Sequence, residues 1–256
     1  MFGEERKHKI IKYLENHRRA TVQQLAQFLN VSEVTVRRDL KEIEEEYPFI
    51  KRTHGGAMWW GRVSGEPTVQ EKQGQYLREK ERIAEKAKEW IQEGDVLLLD
   101  AGTTVRQLIP YLSSFKRLTI LTNSLLSVHE FQNLGHLEIM MLGGTLRAST
   151  MSLVGPWAEK ILEDVHVDKA FVATNGIDLE KGLTTPNIIE ASVKRKMIKA
   201  ADEVILLADA SKFGQISFAK FGEVRDIDVW ITNAGLDPEI QRILDDVGVK
   251  VVIADA

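Results

Sequence analysis

From residue 96 to residue 253 the chain alternates short apolar runs with amphipathic segments, and this alternation restricts its fold more than any other feature. The runs are 96–99, 118–121, 137–141, 170–173, 204–208, 229–231 and 249–253, and helical patterns fill 105–112, 125–132, 157–162, 188–200 and 238–247. A run of three to five apolar residues suits a strand covered on both faces. Strands alternating with helices predict an α/β domain with a mostly parallel sheet and helices on its faces. No run is long enough to span a bilayer. The opening residues MFGEERKHKI lack the apolar stretch of a signal peptide.

The first 60 residues follow a different period. Ile10, Ile11 and Leu14 predict a helix over 4–17. Thr21 with Gln24 makes a capping-box pattern ahead of the stripe Leu25, Phe28 and Leu29, which Asn30 ends. Ser32 is the next N-cap, with Glu33 in the first turn. The third helix carries Val36, Leu40 and Ile43 on one face and runs to about residue 46. Two short helices this close form a helix-turn-helix. Beyond Pro48, residues 49–53 and 57–60 around Gly55-Gly56 predict a β-hairpin, hence a wing. Trp59 and Trp60 stand out there as packing residues. Residues 61–75 are Gly-rich and polar, and 77–91 are helical again. The expected partition is a winged helix-turn-helix domain over 1–60, a linker over 61–76 and the α/β domain over 77–256.

A formal charge of −4 argues at first against nucleic acid, but the charge is unevenly spread: residues 1–60 balance at +2 and the remainder at −6. The outer surface of the third helix offers Ser32, Glu33, Thr35, Arg37, Arg38 and Lys41. Arginine pairs bidentately with guanine, and such a helix enters the major groove with its N-terminal residues toward the bases. Arg52 and His54 on the hairpin are placed for phosphates. Taken singly, each charge is equally a solvated surface group, and the acidic run 44–46 is read that way. Taken in series, the capped helices, basic face and hairpin predict a double-stranded DNA operator as partner.

The large domain places small and polar residues after its strands. In Asp100-Ala101-Gly102-Thr103-Thr104, a glycine lets backbone N–H groups at a helix N-terminus approach an anion, and Thr103 and Thr104 add hydroxyls. An ordinary turn capped by one of the threonines is the plain alternative. Asn123-Ser124, Gly143-Gly144 with Arg147, and Asp209, Ser211 and Lys212 follow other strands. Ligands of parallel sheets bind outside the carboxyl ends of the strands, so these turns converge on one pocket. Asn175, Asp178, Lys181, Glu190 and Lys194 come next. Glu190 and Lys194 have the spacing of a helical ion pair; the sharper reading sets Lys181 or Lys194 beside a phosphate and Glu190 beside sugar hydroxyls. Lys212 is a further phosphate candidate or a surface lysine.

The segments VSEVTVRRDLKEIEEE, IKRTHGGA, LDAGTT, LTNS, LGGTLR, SLVGP, DKAFVATNGID, GLTTPNIIEASVKRKMI and LADASKFG resemble, in the same order, the DeoR family of transcription regulators, over about residues 4–233. The resemblance implies a regulator, most often a repressor of sugar-metabolism genes, whose sensor domain is similar in fold to ribose-5-phosphate isomerase and responds to phosphorylated sugars. It implies that Gly102, Thr103 and Thr104 hold phosphate, and it puts Asp100, Lys181 and Glu190 near the ligand. Glu190 and Asp178 stand in for two acidic groups of such isomerases, while Asn175 occupies the place of another, which implies binding without turnover. An isomerase with an added DNA-binding domain is the alternative.

Other chemistry finds no support. The chain has no cysteine, its six histidines lack metal-ligand spacing, and it has neither a GxxxxGK[ST] loop nor a GxSxG elbow. No cofactor, metal or catalytic residue is expected. A helix-turn-helix of this size spans one half-site, so a homodimer or homotetramer is expected. A cytoplasmic location without membrane contact fits the composition.

Overall fold

Thr21 starts the fold of the first domain as its spacing predicts. Its Oγ1 accepts the Gln24 N–H at 3.1 Å while its own N–H donates to Gln24 Oε1 at 2.8 Å. The computed structural model describes residues 3–17, 19–47, 50–53, 55–59 and 68–254, in two compact units divided between Gly65 and Glu66. The first unit contains α1 (Gly3–His17), β1 (Arg19–Thr21), α2 (Val22–Leu29), α3 (Glu33–Glu46), β2 (Ile50–Thr53) and β3 (Gly56–Trp59). Asn30 ends α2 at φ 53°, and the Ser32 side chain caps α3. Ile10, Leu14, Leu25, Val36, Leu40, Ile43 and Ile50 are buried together, each contributing about 1.5–3 kcal/mol of apolar burial. Arg6 of α1 grips Asp39 of α3 with two buried bonds of 2.5 and 2.9 Å. This fixes the helices as a charge-assisted fork.

Two features here exceed or correct the sequence reading. The hairpin β2–β3 gains a third antiparallel strand, β1, in the order β1-β3-β2. Glu44 is not a merely solvated helix end: its carboxylate accepts the Arg52 N–H at 3.0 Å and ties α3 to β2. His54, Trp60, the Trp59 side chain and residues 61–67 lie outside the described residues.

The second unit begins with α4 (Val69–Gly74) and α5 (Leu77–Ala87). Residues 68–76, expected as linker, are therefore structured. Thr68 and Glu71 form a capping box, Val69 is buried, and its N–H donates to Ser149 O at 2.9 Å. There follow β4 (Val96–Leu99), α6 (Thr103–Arg106), β5 (Thr119–Thr122), α7 (Val128–Phe131), β6 (Glu138–Met141), β7 (Thr145–Arg147), β8 (Ser152–Val154), α8 (Pro156–Glu163) and β9 (Val167–Val172). The chain continues through β10 (Gly176–Asp178), β11 (Gly182–Thr185), α9 (Ile188–Lys199), β12 (Ala201–Leu207), β13 (Ala219–Gly222), β14 (Val229–Thr232), α10 (Pro238–Asp246) and β15 (Lys250–Ile253).

Seven strands form one parallel sheet in the order β15-β14-β12-β9-β4-β5-β6. Successive residues feed opposite faces. Leu98, Val204 and Leu206 pack with α8 and α9 residues, whereas Leu97, Leu99, Ile205 and Leu207 pack with α5 residues. The chain leaves β4 toward β5 and β6 and later returns beside β4 as β9, so the topological switch lies between β4 and β9. The expected helix over 105–112 is broken. A proline at position 110 clashes with the carbonyl of Arg106 in a continuing helix, and α6 ends at Arg106, followed by a 3₁₀ turn over Ile109–Ser114. The expected helix over 125–132 shrinks to α7, and the Leu125 N–H before it donates to Met151 O at 2.9 Å. Two antiparallel pieces, β7–β8 and β10-β11-β13, lie outside the alternating pattern. Among the described residues no helix is long and apolar enough to cross a membrane.

Candidate functional site

The switch crevice is where the carboxyl ends of β4 and β9 meet, and Asp100 joins them. One carboxylate oxygen accepts the Ala173 N–H at 2.9 Å, and the other accepts the Ala101 N–H at 2.9 Å. Lys194 reaches in from α9 and pairs with Asp100, with both side chains almost fully buried, and donates to Ala173 O at 3.0 Å. Glu190 stands one helical turn earlier, 4.0 Å from Lys194 and 3.9 Å from Arg147. The helical pair read from the sequence is thus the weaker contact, and Asp100 is the principal partner of Lys194. A lysine neutralised this closely is poorly suited to be the main phosphate cation.

Gly102 lies against Ala173: a Cβ on it would come within 2.3 Å of the alanine Cβ. Glycine is therefore required for close packing of the two loops as well as for open backbone. Neither threonine caps α6; Gly102 is the N-cap and has no side chain to offer. The first N–H groups of a helix have no partner inside it. Among the described residues the hydroxyls of Thr103 and Thr104 have no hydrogen bond either.

The neighbouring strand ends converge as expected for some residues and not for others. Asn123 donates from Nδ2 to Leu153 O at 3.3 Å, and Ser124 accepts from Ser127 Oγ at 2.9 Å. Arg147 bonds the Ser149 hydroxyl and lies 3.5 Å from Thr150 Oγ1. Gly144, at φ 130°, lets β7 approach β8, since a Cβ would lie 2.5 Å from Val154 O; with Gly143 it shapes that turn. Asn175 accepts from Thr185 Oγ1 at 3.3 Å. Asp178 and Lys181 are displaced to the opposite end of the β10–β11 hairpin. There the Asp178 carboxylate accepts the N–H groups of Glu180 and Lys181 at 3.0 and 2.8 Å, and Lys181 is exposed. The Asp178 carboxylate thus closes the turn.

Lys80 was missed by the sequence reading. It is only 4% exposed, and burial, followed by repulsion from Lys212, pushes its pKa down to about 8, while Asp209 opposes the shift. Its ammonium donates to the Lys72 carbonyl, and Lys212 lies 3.8 Å from Asp209. The signal was present in the sequence, because Lys80 occupies the buried stripe of α5 with Ile83, Ala84 and Ala87. The α4 and α5 helices pack against α6, and Lys80 lies close enough to Lys212 and Asp209 to feel both charges. At the carboxyl ends of β5, β12 and β14, three buried atoms, Asn123 Oδ1, Asp209 Oδ2 (which faces Lys212 at 3.8 Å) and Thr232 Oγ1, have no hydrogen bond among the described residues. Such orphans call for a partner, and hydroxyl donors supply one.

On the first unit, α3 turns Arg37, Arg38 and Lys41 outward. Arg37 is held by Glu33 at 3.1 Å and Arg38 lies 4.0 Å from Glu42. Ser32 and Thr35 contact each other at 2.9 Å within the cap. Arg52 is exposed on β2.

Two family models match this chain: the DeoR-like helix-turn-helix domain over residues 6–60 and the DeoR C terminal sensor domain over residues 75–234. The chain belongs to the DeoR family. Among its DeoR-family relatives, the HTH-type transcriptional regulator GlpR of Haloferax volcanii is 38% identical over 255 residues, covering 98% of each chain. The HTH-type transcriptional repressor GlcR of Bacillus subtilis is 36% identical, covering 100% of this chain and 98% of the relative. A ribose 5-phosphate isomerase from Methanocaldococcus jannaschii aligns at 16% identity and TM-score 0.38 over 52% of this chain and 53% of its own; a likeness so distant carries no argument. The DeoR-family chain is a transcription regulator and not an isomerase, as its full-length relatives are named.

Proposed function

We propose that this regulator is a cytoplasmic repressor of sugar-metabolism genes, released from its operator by a phosphorylated sugar. Residues 1–60 form its winged reading head and 77–256 its sensor. Arg37, Arg38 and Lys41 enter the major groove, with Ser32, Glu33 and Thr35 at the leading end, and Arg52 and His54 meet phosphates. In the sensor, Gly102, Thr103 and Thr104 cradle the phosphate beside Lys80 and Lys212. Asn123, Ser124, Asn175, Glu190 and Arg147 face the sugar, while Asp100 and Lys194 brace the crevice. A homodimer or homotetramer places two reading heads on adjacent half-sites.

The observation that carries the sensor reading is that buried acceptors without a hydrogen bond follow three of the parallel strands, and that the cations Lys80 and Lys212 adjoin one of them, Asp209. An ester dianion meets the cations and sugar hydroxyls the acceptors. Release requires the effector to bind the two arrangements of the regulator unequally. Gel-shift titration on an operator duplex, with and without sugar phosphates, tests the whole. Arg37→Ala and Arg38→Ala are each expected to weaken operator binding at least tenfold, about 1.4 kcal/mol or more. Phosphorylated sugars alone are expected to raise the melting temperature. Unaltered affinity in both variants, or equal stabilisation by unphosphorylated sugars, would refute the assignment.

A further inference from the structure

Val34 is 76% exposed, more than any other large apolar side chain among the described residues. It is the second residue of α3, and steps of three, four and seven from it reach Arg37, Arg38 and Lys41. These positions make one stripe on a helix, opposite the buried stripe of Val36, Leu40 and Ile43. The polar side chains around it are engaged with one another: Ser32 with Thr35 at 2.9 Å, and Glu33 with Arg37 at 3.1 Å.

Local physics disfavours valine here. A β-branched residue lowers helix propensity, and water is a poor environment for its isopropyl group. Single exposed apolar residues are ordinary elsewhere on a surface. Val34 differs in standing at the N-terminal end of a basic stripe, where a reading helix meets base edges. The major-groove edges present hydrogen-bond donors and acceptors, with one apolar group among them, the thymine C5 methyl. Valine cannot satisfy a donor or acceptor, so its approach to guanine, adenine or cytosine edges desolvates them without compensation.

We propose that Val34 is a specificity-determining residue that packs its isopropyl group on thymine methyl groups of the half-site and rejects polar edges at that position. The inference rests on α3 being the reading helix, and the experiment separates the two. The full-length chain selects duplexes from a random library, and the enriched site is footprinted. It is then resynthesised with each half-site thymine in turn replaced by deoxyuridine, which removes the methyl and leaves every hydrogen-bonding edge intact. We expect one or two positions per half-site where deoxyuridine weakens binding about fourfold, the value of one buried methyl. Val34→Ala is expected to lose a similar factor on the thymine duplex and to be indifferent to deoxyuridine at those positions; Val34→Ile is expected to retain the sensitivity. An unchanged melting temperature in these exposed-site variants shows that folding is not the cause.

Three results would overturn the proposal while leaving α3 as the reader. One is an enriched half-site without thymine. The second is wild-type affinity that ignores deoxyuridine at every position. The third is Val34→Ala retaining the full deoxyuridine penalty. Failure to enrich any duplex would instead remove the DNA-reading assignment itself, and the proposal with it.

Discussion

Raising the pH from 7 to 9 is expected to weaken effector binding about tenfold, and Lys80 is the reason. Burial, then Lys212, pushes its pKa down to about 8 in the free protein, so its protonated fraction falls from roughly nine-tenths to one-tenth across that interval. A phosphate monoester, with a second pKa of about 6, stays dianionic throughout. Bound beside the ammonium it favours the charged form, so the complex retains a proton that the free protein surrenders. The loss is about 1.4 kcal/mol. Calorimetric titration of a sugar phosphate chosen by thermal shift, at pH 7, 8 and 9 in buffers of different ionisation enthalpy, reads both affinity and proton uptake. Uptake is expected to approach half a proton at pH 8. Lys80→Met is expected to bind weakly with no such slope. Constant affinity from pH 7 to 9 in the wild type, or the same slope in Lys80→Met, would refute the reasoning. Stability follows with the opposite partner, the unfolded chain. The folded value lies below the unfolded one, so the penalty is full below pH 8 and is relieved as pH rises toward the ordinary lysine value. Ligand-free Lys80→Met is therefore expected to be more stable at pH 7, by up to about 3 kcal/mol less the lost bond to the Lys72 carbonyl.

Two substitutions at the crevice test its construction by urea denaturation. Asp100→Asn leaves the buried Lys194 ammonium without its principal partner, and a loss of about 3–5 kcal/mol is expected; adding Lys194→Met is expected to recover most of it, and a single-variant loss below about 1 kcal/mol would contradict the pair's importance. Gly102→Ala forces its Cβ to 2.3 Å from that of Ala173, and a loss of about 1–3 kcal/mol is expected. Ala173→Gly in the same chain is expected to restore stability, and no restoration would mean that the glycine serves another purpose.

The legibility of this chain varied with the range of the interactions involved. Thr21 with Gln24, Asn30 and Ser32 act within one turn of themselves, so the helix-turn-helix was readable residue by residue. The parallel strands were readable because each carries a short apolar run, as in Val96–Leu99 and Val229–Thr232. Glu44 illustrates the limit: its partner, the Arg52 N–H, is eight residues away on another element, and no pattern in the acidic run announces it. Asp178 closes the turn of its hairpin, and its residue type alone does not distinguish that role from a ligand's. Lys80 was legible but overlooked, a charge on an otherwise apolar stripe.

The sequence by itself determined the two domains, the caps, the alternation of strands and helices, and the basic face of α3, because propensity, periodicity and capping act over a few residues. Only the tertiary structure decided that Lys194 belongs to Asp100, 94 positions away, that Gly102 is required by Ala173, and that the buried Lys80 adjoins Lys212 and Asp209. Those are properties of strand order, which brings β4 and β9 together at the switch point. Asp100 takes Lys194 and the Ala173 N–H from across the sheet rather than along the chain.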